Sequence, residues 1–116
     1  MARTATLKID KDCHVDQELE REYIQATVTI LSKRRIRVVS IKASKTRHGT
    51  HYYIEVDPSV DANTANRFQY LVGDDAKRVS LNQARINAGL SEWNKLFEAV
   101  GRRLRTVYPF KANRRG

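Results

Sequence analysis

From Thr4 to Ile9 apolar and polar side chains alternate, with Ala5, Leu7 and Ile9 on one side and Thr6, Lys8 and Asp10 on the other. A period of two is that of a strand with one buried face. Ile36 to Ala43 and His51 to Val56 are β-branched and alternate in the same way. Ser44 to Thr50, with Gly49 near its end, reads as the hairpin connection between them. Ahead of that hairpin, Leu19, Tyr23, Ala26 and Ile30 recur at helical spacing within Gln17 to Arg34. Asp16 is placed to cap this helix, whose acids lead and whose bases end it, as the helix dipole prefers. Pro58 closes the third strand. Helical spacing resumes from Asp61 to Val72, Gly73 breaks it, and Asp74-Asp75 caps a further helix through Val79, Ala84 and Ile86 that Gly89 ends. Trp93 to Val100 fits either a last strand, Trp93, Lys95 and Phe97 alternating against Asn94, Leu96 and Glu98, or the start of a terminal helix.

With the last element as a strand, the order is β-α-β-β-α-α-β. This predicts an α+β fold of ferredoxin-like or RRM-like type, an antiparallel sheet with its helices on one face and the first and third strands as central neighbours. Ala5, Leu7 and Ile9 would then face the helices together with Tyr52, Ile54 and Val56. Lys8 and Asp10 would lie on the open face beside His51, Tyr53 and Glu55. A chain of 116 residues holds one core and is too short for two. We therefore expect a single domain over residues 1–109 and a basic, flexible tail over 110–116, where apolar periodicity is lost.

Charge changes the picture. Twenty-two Lys and Arg against thirteen Asp and Glu give +9. Seven bases and no acid lie between Lys33 and His48, and six more, again with no acid, from Arg102 onward. Six of the thirteen acids sit between Asp10 and Glu22. Segregation of this kind attracts polyanions and releases their counterions on binding. No apolar run approaches the roughly 18–20 residues that span a bilayer, so no membrane partner is expected. Cys13 is alone, which excludes an intrachain disulfide framework, fits a reducing compartment and points to the cytoplasm.

Two motifs bear on chemistry. Ile9-Asp10-Lys11-Asp12 places two carboxylates one residue apart at the end of a strand, where both would point to one face and could hold Mg²⁺ with substrate phosphates. The alternative is that they open a polar loop. Ser44-Lys-Thr-Arg-His-Gly-Thr-His51 leads through a glycine turn into a histidine on a strand. Together these resemble the hydrophobic-Asp-x-Asp motif and the second motif of the archaeo-eukaryotic primase superfamily, whose catalytic half is RRM-like. The resemblance implies metal binding by Asp10 and Asp12, nucleotide contact by His51, and a third carboxylate, for which Asp74 or Asp75, placed as helix caps, and Glu98 are the candidates. The spacing of 39 residues from Asp12 to His51 leaves room for the intervening helix and strand. No Walker or dinucleotide glycine loop is present, no serine or cysteine nucleophile stands in a recognisable setting, and Cys13, His14, His48 and His51 make only a loose set for zinc. Gly73-Asp74-Asp75 lies between two helical runs, which is not the β-hairpin setting of a polymerase metal turn.

Binding is the more coherent prediction. Tyr53 and His51 would support bases, while Lys8, Arg37, Lys42, Lys45, Arg47 and His48 hold the backbone, with Arg102, Arg103 and Arg105 as a second rim. The expected partner is nucleic acid, with single-stranded DNA favoured because a flat sheet suits unpaired bases and no helix resembles a major-groove reader. A homodimer is a further possible assembly. In this reading no catalytic residue, metal or other cofactor is required. The rival is a minimal metal-dependent primase-like nucleotidyltransferase or nuclease using Asp10, Asp12, His51 and Glu98 with Mg²⁺.

Overall fold

In the computed structural model, described here for residues 3–96 and 103–111, the strands are β1 (Ala5–Lys11), β2 (Arg37–Lys45), β3 (Thr50–Asp57) and β4 (Arg105–Tyr108). The helices are α1 (Gln17–Ser32), α2 (Ala62–Leu71) and α3 (Ala76–Asn87). The α+β class and the antiparallel sheet are as predicted. The sheet is antiparallel throughout and ordered β1-β3-β2-β4. β1 and β3 are neighbours, but β4 adds beside β2, which leaves β1 at an edge and makes β3 and β2 the central pair.

Alternation assigned the faces correctly. Leu7 opposes Ile54 and Ile9 opposes Tyr52, and on the far side of β3 Ile41 and Ala43 meet the same two residues. All six are buried against Ile24 and Leu31 of α1. A β-bulge between Val38 and Ser40 lets both Val38 and Ile41 face the core. Asp16 caps α1 by accepting from the Leu19 amide, and Asp61 caps α2 in the same way from Thr64.

The last strand is not where alternation placed it. Residues 93–96 form no strand, and 97–100, including Glu98, lie outside the described residues. The Trp93 ring packs on the core, while the Asn94 side chain and the Lys95 carbonyl accept from Arg78. β4 is the later run Arg-Thr-Val-Tyr, ended by Pro109, which has no amide proton for a ladder. Phe110, assigned above to the tail, packs edge-on against Tyr108 at 5.5 Å and lies under the Arg21 guanidinium at 3.9 Å. Residues 112–116 lie outside the described residues.

An edge strand presents backbone groups that need partners. Those of β1 are met by side chains of the α2–α3 pair. The Lys8 amide donates to Gln69 Oε1 at 3.1 Å, the Asp10 amide to Asp74 Oδ1 at 2.9 Å, and the Lys8 carbonyl accepts from Arg78 Nη1 at 2.9 Å. Arg78 also pairs with Asp74 and donates to Asn94 Oδ1 at 2.7 Å, and Asn94 donates to Gln69 Oε1 at 2.7 Å. Gly73, at φ +100°, makes the turn that brings Asp74 to the strand. Asp74 therefore acts as an edge ligand for β1, and no cap hydrogen bond is made by the Asp75 side chain.

Arg78→Met removes the guanidinium that neutralises a buried carboxylate and satisfies two carbonyls. It should cost about 3–5 kcal/mol in urea unfolding, the range for leaving one member of a buried ion pair alone. Lys77→Met, on an exposed position one residue earlier, should stay within about 0.5 kcal/mol.

Candidate functional site

The face of the sheet away from α1 is ordered by register into three cross-strand rows. Thr6, Glu55 and Ser40 form the first, Lys8, Tyr53 and Lys42 the second, and Asp10, His51 and Ser44 the third. In the first row Glu55 accepts from Thr4 Oγ1 at 2.9 Å and Ser40 Oγ at 3.3 Å. In the third, His51 Nε2 lies 3.5 Å from Asp10 Oδ1, with His51 largely buried. Burial raises the Asp10 carboxyl above its ordinary value; His51 pulls it back, and Asp74 adds to the rise. Positive charge without a neighbouring acid in the same row is thus confined to the middle row, where the half-buried Tyr53 ring stands between two lysines. With strands about 4.8 Å apart, Lys8 and Lys42 are separated by about 10 Å. A cavity of about 340 Å³ opens beside Lys8, lined also by Glu92, Asn94, Lys95 and Leu96.

The hairpin adjoining the third row is tighter than expected, because β2 runs to Lys45 and β3 begins at Thr50. Residues 46–49 make the turn, closed by the Thr46 amide donating to the Gly49 carbonyl at 2.9 Å and the Gly49 amide to Thr46 Oγ1 at 2.9 Å. A Cβ on Gly49 would lie 1.8 Å from the Lys11 carbonyl oxygen, so only glycine lets the turn pack against the end of β1. His14 Nε2 donates to the Arg47 carbonyl at 3.2 Å and pins the turn to the β1–α1 loop. Arg47 and His48 are exposed at its tip.

The remaining predicted bases are dealt elsewhere. Strand parity puts Lys45 on the helix side, where it lines a groove of about 1260 Å³ with Glu20, Arg21, Arg103, Arg105 and Phe110. Arg105 is not a free rim cation. Its Nη1 and Nη2 donate to the two Glu20 oxygens, each at 2.9 Å, and the buried Tyr52 hydroxyl donates to the same carboxylate. Burial opposes ionisation of Glu20, but the Arg105 and Tyr52 hydrogen bonds outweigh it and hold the carboxyl below its usual range. For Tyr52 burial and the Glu20 carboxylate both push the phenol upward. Arg37 is at the far end of the sheet, paired with Asp57 at 3.0 Å. Arg102 lies outside the described residues.

The structure therefore brings Lys8, Lys42, His51 and Tyr53 together, sets Arg47 and His48 beside them, and separates Lys45, Arg103 and Arg105 on the other side. Of the two carboxylates of the Asp-x-Asp motif, only Asp10 is on the strand. β1 ends at Lys11, so alternation does not carry Asp12 to the same face, and Asp12 is exposed in the following loop. Among the described residues no group of three or more His, Cys, Asp or Glu is close enough to hold a metal ion, and no helix is long and apolar enough to cross a membrane. The Glu20–Tyr52–Arg105 cluster was not anticipated. Its one sequence signal is an acid four residues before Ile24, on the inward stripe of α1, where a charge must have a partner.

Glu20 and Asp10 contribute to stability with opposite signs against pH. Glu20, held low when folded, stabilises the fold above its ordinary value of 4.5, and that contribution is lost as pH falls through the folded value. Arg105→Gln should therefore cost about 1–3 kcal/mol near neutrality, a deficit that closes in acid. Asp10, held high when folded, weighs against the fold as pH rises. Asp10→Asn should be the more stable protein near neutrality and lose that advantage below the ordinary value of 3.8. Urea midpoints measured from neutral pH into acid check both. Comparison with protein-family models, with curated proteins and with solved structures found no match, so the site rests on its own geometry.

Proposed function

We propose that this chain binds nucleic acid across the face of its sheet away from α1, with the strand running along the Lys8–Tyr53–Lys42 row. The observation that carries the reading is that row, an aromatic ring between two cations at one register on adjacent strands, with Arg47 and His48 exposed on the pinned turn past the third row. Lysines contact phosphates and set position, while an aromatic face accepts any base and favours unpaired ones. The acids in the flanking rows restrict a polyanion to the middle one. Single-stranded DNA is the preferred target, and the cytoplasm the proposed place of action. The reading gives Lys45 and Arg103 at most an outer role, since they are on the other side of the sheet. It requires no chemistry of Asp10, whose carboxylate faces His51.

Fluorescence anisotropy with single-stranded and duplex DNA of equal length tests this. Wild type should prefer the single strand and weaken steeply with salt. Tyr53→Ala should lose about 1–3 kcal/mol, roughly fivefold to 150-fold in affinity. Lys8→Ala and Lys42→Ala should each lower the salt slope by about 1. Absence of binding to either DNA at low salt defeats the proposal. Asp10→Ala separates it from the primase-like alternative: a binder gains affinity when an acid beside the track is removed, whereas a Mg²⁺-dependent nucleotidyltransferase loses turnover at little cost in affinity.

A further inference from the structure

The α2–α3 pair buries mostly polar side chains. The residues α2 buries are Ala65, Asn66 and Gln69, and those α3 buries are Arg78 and Asn82. Asn66 donates to the Val79 carbonyl and to Gln83, and Asn82 donates to Asn66, so amides hold the two helices together. Several large apolar residues are left exposed instead. Tyr70 is 61% exposed and Leu71 41%. With Phe68 and Val79 they line a groove of about 830 Å³ rimmed by Arg34 and Arg67. A helix pair that spends its polar side chains inward and presents aromatic and aliphatic ones to water has the surface of a binding site, because contiguous exposed apolar patches mark contacts. Nothing among the described residues covers it.

The charge around the groove selects its occupant. A basic rim repels its own copy placed face to face and attracts an acidic helix carrying an apolar residue. The same chain displays such a helix surface. On the outer side of α1, Leu19 is 50% exposed and is flanked by the exposed Glu18 and Glu22 one turn apart, with Ala26 two turns beyond Leu19. We infer that the acidic Leu19 ridge of one copy seats in the Arg34–Arg67 groove of the next. Leu19 enters against Tyr70 and Leu71, and Glu18 and Glu22 meet the two arginines. Ridge and groove are different surfaces, so the contact is heterologous. Each added copy leaves a ridge and a groove open, and the assembly grows beyond a dimer, head to tail. The contact uses none of the residues proposed to hold nucleic acid and stands independently of that reading.

Sedimentation velocity on the full chain, stripped of nucleic acid and followed over a concentration series at low salt, reads this directly. Wild type should show a mean mass that rises with concentration past twice the monomer. Glu18→Arg/Glu22→Arg in one chain and Arg34→Glu/Arg67→Glu in another should each remain monomeric, and a mixture of the two should assemble again, since reversed ridge then meets reversed groove. Both pairs are on the surface, and circular dichroism confirms that each variant is folded. Tyr53→Ala should assemble as wild type does. A monomer at every concentration overturns the inference and hands the groove to a different partner. A species that stops at two and is tightened by Arg34→Gln/Arg67→Gln overturns it in favour of a face-to-face dimer. Failure of the mixed variants to assemble also overturns it.

Discussion

The open edge of β1 governs the arrangement of this protein. A strand paired on one side only has amides and carbonyls that must find partners or stay in water. In many sheets another strand would supply them, and here β4 has gone to the opposite edge beside β2. Three side chains from the α2–α3 segment do the work of that strand, with Gln69 and Asp74 accepting and Arg78 donating. Because these groups are polar and must be drawn inside, the helices that carry them bury polar side chains and leave Tyr70, Leu71 and Leu81 exposed. Arg78 is then saturated by Asp74, Asn94 and the Lys95 carbonyl, which fixes the path of the chain after α3. The sheet edge thus determines the character of the helix pair and the course of the following loop.

The sheet likewise partitions the charge. The basic run from Lys33 to His48 is continuous in sequence, but a strand sends successive side chains to opposite faces, so Lys42 and Lys45 part company. One face keeps Lys8 and Lys42 around Tyr53. The other has a groove in which Arg105 is bound to Glu20 and shares that carboxylate with Tyr52. A large net charge therefore yields a narrow cationic row on one side and a partly neutralised groove on the other.

The strands and their faces were legible in the sequence because one side of the sheet is apolar through Ala5 to Ile9, Ile41 to Ala43 and Tyr52 to Val56, so a period of two leaves no choice of register there. The caps Asp16 and Asp61 were legible for the same local reason. The fourth strand was not. Trp93 to Glu98 imitates an alternating strand, whereas the four-residue β4 is too short to show a period, and its signal is only a β-branched and aromatic run before Pro109. Nor could pattern reveal that Asn66, Gln69, Arg78 and Asn82 face inward. Periodicity assigns apolar residues to the core, and here Gln69 and Arg78 face inward for β1 backbone more than sixty residues away, Asn66 and Asn82 for each other and the Val79 carbonyl. The open-face row of the candidate site follows from the alternation, but Lys45 and Arg105 were misplaced by reading charge density without strand parity.

The edge network also has a consequence for how the chain reaches its fold. Its three bonds to β1 join residues 61, 64 and 70 positions apart, while the β2–β3 hairpin closes across a four-residue turn. Contacts between distant parts of a chain form slowly, since long loops must close before any contact rewards them. The hairpin and its docking to α1 are therefore expected to precede the arrival of Gln69, Asp74 and Arg78, leaving the backbone edge of β1 bare in that interval. An uncovered edge is a template for another chain. The segment that seals the native sheet is also the last safeguard against intermolecular strand pairing, and the speed at which it docks sets how long a newly made copy is exposed to aggregation.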